Sequence, residues 1–328
     1  MNSIIITSIF PPTEAVKLFA DKTDHNLIVV GDKKTPEPWN CSNTQFVSVS
    51  EQLSSGFELA KVLPFNHYCR KMIGYLYAIK AGSKIIIDTD DDNIPHENWE
   101  FPDFSAEYDQ VPSGNGFVNV YKYFTDAKIW PRGLPLSLVN SNIPVPEVNK
   151  AQCKVGVWQG LADEDPDVDA IYRLTSDEPC FFNHREPLVL GKNTICPFNS
   201  QNTAIVEELF PLLYLPTYVT FRFTDILRGL VAQPIMWEHG YQLGFTAATV
   251  VQKRNPHDYF KDFESEIPMY QHGHKVIDLI SPVISAQNSV GQNLLNAYQE
   301  LLKHGIVISE EMVTLEAWLK DLSVRGNY

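Results

Sequence analysis

The sequence predicts an α/β fold: a Rossmann-like, mainly parallel sheet with flanking helices and a helical C-terminal appendage. Three observations carry this reading. Short β-branched runs alternate with segments of helical period between Ser3 and Ile87. The run Ile85-Ile86-Ile87 passes directly into Asp88-Thr89-Asp90-Asp91-Asp92, and open α/β sheets present their chemistry at the carboxyl ends of their strands. Residues 287 to 322 are periodic helical sequence without strand alternation.

The elements follow in order. Ser3 to Ile9 is a β-branched strand, and after Pro11-Pro12 the segment from Thr13 to Lys22 reads as helix. Leu27 to Val30 is a short apolar strand closed by Gly31-Asp32, and Phe46 to Val49 is a third. Tyr68 to Lys80 carries Met72, Leu76 and Ile79 at helical spacing and leads through Gly82 into the strand Lys84 to Ile87. From Phe101 to Asn149, Pro, Gly and aromatic residues suit loops laid over a site. Val155 to Trp158 reads as a strand; Thr203 to Phe210 and Phe223 to Ala232 read as helices. The simplest division is a catalytic domain over residues 1–270 and a helical extension over 271–328.

Composition narrows the function. With 44% apolar and 20% charged residues, the 328-residue chain is globular. A net charge of −14 argues against nucleic-acid binding, which needs a clustered basic surface. No stretch approaches the roughly 18 apolar residues of a membrane span, so no integral membrane segment is expected. The five cysteines are scattered and odd in number, the pattern of reduced thiols, so a cytoplasmic location is expected.

The acidic cluster is the strongest chemical signal, because like charges so close together need a proton, a basic partner or a cation. A calcium loop starting at Asp88 requires Gly and Glu where Asn93 and Trp99 stand, so that reading fails. A haloacid-dehalogenase-type phosphotransferase also places Asp-x-Asp after an apolar strand. That pattern continues with Thr or Val near the first strand, whereas here position 92 is Asp and the strand comes fourth. The third reading is the Asp-x-Asp of a nucleotide-sugar transferase, in which carboxylates hold Mn²⁺ or Mg²⁺ against a diphosphate. If the chain stays extended, Asp90 and Asp92 share a side and are the metal ligands, and Asp91 faces the other way, toward a sugar or a basic residue. A solvated acidic turn is the plain alternative.

Arg70 and Lys71, one helix earlier, are candidates to meet a diphosphate. Asp32 and Thr7, at the ends of the second and first strands, are candidate nucleotide contacts, although Gly-Asp is also a common turn. In Trp130-Pro131-Arg132-Gly133-Leu134-Pro135, Arg132 is placed to neutralise phosphate or a sugar carboxylate and Trp130 to stack on a sugar, unless the loop is structural and its Trp is core. One of Asp163, Asp165, Asp167 and Asp169 is a candidate general base. Asp225 and Arg228 have the spacing of an intrahelical ion pair. Glu238, His239 and His257 lack a ligand pattern and read as ordinary surface.

Together these segments resemble the STELLO family, itself distantly similar to the reversibly glycosylated polypeptides, the UDP-arabinopyranose mutases. The resemblance rests on Val-Val-Gly-Asp-Lys-Lys-Thr-Pro at 29–36, on Tyr-Cys-Arg-Lys-Met-Ile-Gly-Tyr-Leu-Tyr-Ala-Ile at 68–79 and on Ile-Asp-Thr-Asp-Asp-Asp-Asn at 87–93. Trp-Pro-Arg-Gly-Leu-Pro at 130–135, Gln-Gly-Leu at 159–161 and Asp-Pro-Asp-Val-Asp at 165–169 continue it. It extends over about residues 1 to 260 and leaves the C-terminal helices unmatched; Asn93 also replaces the Cys that follows the acidic triplet in the mutases. The resemblance implies a GT-A fold that binds a nucleoside-diphosphate sugar. It implies metal held by the acidic triplet, Asp32 on the nucleoside, Arg70 near the diphosphate or sugar, and Asp225 on the sugar or acceptor.

The expectation is therefore a metal-dependent glycosyltransferase. Its cofactor is Mn²⁺ or Mg²⁺, its co-substrate is a UDP-sugar, and its acceptor is a glycan or other hydroxyl compound. The rivals are a UDP-sugar pyranose/furanose mutase and a non-catalytic GT-A-like assembly protein.

Overall fold

The computed structural model describes residues 1–141, 143–176, 178–253 and 258–323. Its first part runs β1 (Asn2–Thr7), α1 (Glu14–Ala20), β2 (His25–Val30), β3 (Thr44–Val47), α2 (Val49–Ser54), α3 (Glu58–Val62), α4 (Lys71–Lys80) and β4 (Ile85–Thr89). The middle contributes β5 (Asn93–Pro95), β6 (Ser105–Val111), β7 (Gly116–Phe117), α5 (Leu136–Val139), β8 (Asn149–Asp163), α6 (Ala170–Thr175), β9 (Leu188–Leu190), β10 (Thr194–Ile195) and β11 (Asn202–Val206). The chain continues through α7 (Thr224–Glu238), β12 (Gln242–Gln252), α8 (Tyr259–Ile280), α9 (Val290–Lys303) and α10 (Ser309–Ser323).

The apolar runs at the start become β1, β2 and β4 because their side chains are buried on both faces, as parallel strands under helices require. They stack with β3 in the order β3-β2-β1-β4, all parallel, with Ile5 beside both Ile28 and Asp88. Helix α4 lies directly on β1 and β2. A Cβ on Gly74 would come within 2.6 Å of Ile5 and 2.7 Å of Val30, so only glycine permits this approach. Parallel order puts the carboxyl ends of β1, β2 and β4 side by side.

Beyond β4 the ten-stranded sheet becomes mixed, in the order β3-β2-β1-β4-β11-β8-β6-β9-β12-β5 with β8 also paired to β12. Strand β11 runs antiparallel between β4 and β8, with Thr203 opposite both Asp88 and Gln159. The expected helix from Thr203 to Phe210 is thus β11 followed by a 3₁₀ helix, Glu207–Leu213, that contains Pro211. The β-branched Thr203 and Ile205 find partners on both sides, and that pairing overrides local helical preference. Strand β6 lies in the stretch expected to be loop, and Val155 to Trp158 is the middle of a 15-residue strand.

The helical C-terminal region is wired into the sheet layer. The boundary drawn at residue 270 falls inside α8, which packs on α6 and α7. From α10, Asp321 accepts hydrogen bonds from the backbone N–H groups of Glu58 (2.9 Å) and Leu59 (2.8 Å) at the start of α3. Also from α10, buried Glu311 accepts from the N–H groups of Thr217 (2.9 Å) and Tyr218 (2.8 Å) and from the Tyr214 hydroxyl. No described helix is long and apolar enough to cross a membrane.

Candidate functional site

The carboxyl ends of β1, β2 and β4 enclose a cavity of about 360 Å³, lined among others by Thr7, Asp32, Arg70, Asp90, Asp91 and Asp92. The expected divergence of Asp91 from its neighbours does not occur. Strand β4 ends at Thr89 and the chain turns through Asp90–Asp92, so alternation of sides stops there and all three carboxylates border one space. The turn is held by the Thr13 hydroxyl donating to the Asp91 carbonyl (2.6 Å), while the same hydroxyl caps α1. A second brace comes from β5, whose pairing sets Asn93 opposite Gln252, so that the Gln252 amide donates to Asp92 at 3.3 Å.

The four acids are chemically distinct. Asp88 is buried between Lys71 Nζ at 2.7 Å and the Arg228 guanidinium at 2.8 Å. Burial alone would raise its pKa; the two cations overcome this and hold it below the usual carboxylate value. Asp90 receives Lys71 at 2.8 Å but keeps 30% of its side chain exposed. Burial pushes its carboxyl up to about 7, with Asp92 adding repulsion against the pull of Lys71. Asp91 accepts from the Ser8 hydroxyl, and its pKa is also raised, chiefly by burial.

Lys71 was expected in the wall of a diphosphate site. Instead it is fully buried beneath the cluster, with its ammonium also donating to the Thr89 carbonyl at 2.7 Å. A helix begins at Lys71 itself, and this aims the side chain at the strand below rather than into the cavity. Arg70, one residue earlier, does line the cavity. Its guanidinium is fixed by Gln52 Oε1 (2.8 and 2.6 Å) and the Leu63 carbonyl (3.0 Å), partners that leave its charge unneutralised. Across from it, the Asp32 carboxylate accepts from the Lys33 and His67 backbone N–H groups at 2.7 and 3.1 Å.

Among the described residues no group of three His, Cys, Asp or Glu side chains is arranged to hold a metal. A Mg²⁺-type ion in a phosphate site needs only one or two carboxylates, with the phosphates and water completing its shell. Asp90 and Asp92, raised in energy by their mutual repulsion, fit that smaller demand.

Behind Asp90 the cavity continues into an inner pocket of about 90 Å³; the two share Tyr68, Asp90, Phe221, Arg222 and Gln252. Its floor is Arg132, which donates to Asp167 at 2.8 and 2.9 Å and to Asp225 at 3.0 and 2.9 Å, besides reaching the Arg222 carbonyl. Arg132 is thus bound to two carboxylates rather than open to a phosphate. Gly133 makes this placement possible: its φ is +88°, and a Cβ there would meet Ile226 at 2.5 Å. Asp225 does not pair with Arg228, which turns instead to Asp88 and to the Asn199 carbonyl (2.7 Å).

Of the alternating acids, Asp167 lines the inner pocket. Asp163 accepts from the Phe182 N–H, Asp165 pairs with Arg173, and Asp169 caps α6 while accepting from Trp130 Nε1 at 2.7 Å. Trp130 is therefore core, packed edge-on against Tyr172, and not a platform for a sugar. Glu238 pairs with Lys192 and the His239 ring stands 3.3 Å from the Asn293 amide; His257 lies outside the described residues. Sequence reading missed Tyr68, Gln201 and Gln252. Gln201 is delivered by the antiparallel β11 and donates to Gln252, a contact that no local spacing signals.

Residues 222–327 match the family model of the STELLO glycosyltransferases. The chain is 27% identical to the probable glycosyltransferase STELLO2 and 26% identical to the probable glycosyltransferase STELLO1, both of Arabidopsis thaliana. Each alignment covers 98% of this chain but only 45% and 44% of the respective relative, so the chain spans less than half their length. The motifs alone had left the C-terminal helices unmatched, yet the family match falls largely on them. From its strand-end motifs through α8, α9 and α10, the chain is STELLO-like.

Proposed function

We propose that this chain is a metal-dependent GT-A-type glycosyltransferase that takes a nucleoside-diphosphate sugar, most plainly a UDP-sugar, and passes the sugar to a hydroxyl acceptor. The observation that carries this reading is the pair of joined pockets meeting at Asp90: a larger one at the strand ends and a smaller one floored by Asp167, Arg132 and Asp225. A nucleoside fits the Thr7 and Asp32 side of the larger cavity, with its diphosphate between Arg70 and the acidic turn. Asp90 and Asp92 would hold Mn²⁺ or Mg²⁺, which when bound neutralises charge on the leaving diphosphate. Asp225 has the place of the base that receives the acceptor hydroxyl proton; Arg132 orients it through two hydrogen bonds. Lys71 and Arg228 act beneath this surface by fixing Asp88, and so the acidic turn.

The test is isothermal titration of UDP with and without Mn²⁺, on the natural chain and on Asp90→Ala/Asp92→Ala. Metal-dependent binding that the double substitution abolishes supports the reading. Binding indifferent to metal, or unaltered by the substitutions, sinks it.

A further inference from the structure

Resting on that reading, we infer that the inner pocket selects a neutral polyhydroxyl sugar and rejects one that carries a carboxylate. The cations lining it are Arg132 and Arg222, and both are already neutralised. Arg132 is shared by Asp167 and Asp225 through four hydrogen bonds. Arg222 pairs with buried Glu266 at 3.0 Å and donates to the Val168 carbonyl at 3.1 Å. The other polar residues lining the space are acceptor-rich: Asp90, Asp167, Asp225, Gln201, Gln252 and Tyr68.

Sugar hydroxyls donate into such a lining and accept from the amide groups, so every polar group on both sides can be satisfied. A uronic-acid carboxylate meets the opposite situation. It adds an anion beside Asp225, and its natural partner, Arg132, is released only by breaking a bidentate pair that solvent cannot replace. Rejection by an unpaired buried charge is a stronger discriminator than the fit of an extra methylene.

UDP-glucose and UDP-glucuronate separate these cases, because they differ only in CH₂OH against COO⁻ at one ring carbon. In titrations of the intact chain with Mn²⁺, UDP-glucose is expected to bind at least about tenfold more tightly than UDP-glucuronate, a factor that corresponds to about 1.4 kcal/mol. In Asp225→Asn, which removes one of the repelling charges, the ratio is expected to shrink toward unity. Equal binding of the two sugar nucleotides, or tighter binding of UDP-glucuronate, overturns the inference while leaving UDP binding, and so the proposed function, intact. Failure of UDP itself to bind overturns both.

Discussion

Lys71 and Asp88 form an ion pair 2.7 Å long in which neither side chain is more than 1% exposed. Removing Lys71 leaves Asp88 with Arg228 alone, at 2.8 Å, so the cost lies below the ~3–5 kcal/mol of a wholly unpaired buried charge. Lys71→Met is therefore expected to lower unfolding stability by about 1–3 kcal/mol in urea titrations. A loss below about 1 kcal/mol, the range of an exposed pair, would show that the acidic turn does not depend on this lysine.

Asp225→Asn tests the base directly. The amide oxygen still accepts from one Arg132 nitrogen, while the NH₂ that replaces the second oxygen cannot. Donor turnover with an acceptor is expected to fall by about 10²–10⁴, the usual contribution of a positioned base, with little change in UDP affinity. Unaltered turnover would move the proton acceptor elsewhere, Asp167 being next in the pocket.

Metal-assisted nucleotide binding should depend on pH through Asp90. Its carboxyl is pushed up to about 7, so below that value it is protonated and must lose a proton to serve as a ligand. Mn²⁺-dependent UDP affinity is expected to fall by up to about tenfold for each pH unit below 7. Titrations across this range read the slope directly, and a flat profile would remove Asp90 from the metal shell.

Asp169 carries the corresponding prediction for stability. Burial pushes its pKa up to about 6, against the hydrogen bonds from Trp130 and Tyr172. A raised carboxylate pKa favours the fold at low pH, and that contribution is lost as pH rises from about 4 through 6. Asn can make the same cap without ionising. Asp169→Asn is thus expected to gain stability relative to the natural chain as pH rises from about 4 to 7, read from thermal unfolding at each pH; a constant difference would refute it.

The parallel half of the fold was legible because β1, β2 and β4 are buried on both faces and therefore spell their positions as unbroken apolar runs. The other half was not. Strand β11 looks helical in isolation and becomes a strand only because β4 and β8 flank it. The site divides in the same way. Asp32 and the acidic turn announce themselves as charges at strand ends and Arg70 as a charge at a helix start, and all of them line the cavity. The partners of Arg132 were hidden, since Asp167 and Asp225 lie 35 and 93 positions away along the chain. The cations that looked most available, Lys71 and Arg132, are those most completely occupied by acids.

Two carboxylates of α10, Glu311 and Asp321, have a consequence for the order in which the molecule comes into being. Asp321 secures the start of α3 across 263 positions of sequence, and Glu311 secures the segment just before Phe221. The loop bearing Arg70 follows α3, so both sides of the cavity are tied down by residues far along the chain. Such long closures are slow and are rewarded only when they are complete. During synthesis the parallel sheet can assemble early while the cavity stays open until α10 has emerged. The cavity is thus closed by contacts of long range, and a chain shortened before α10 would keep its acidic turn and lose the contacts that hold the walls facing it.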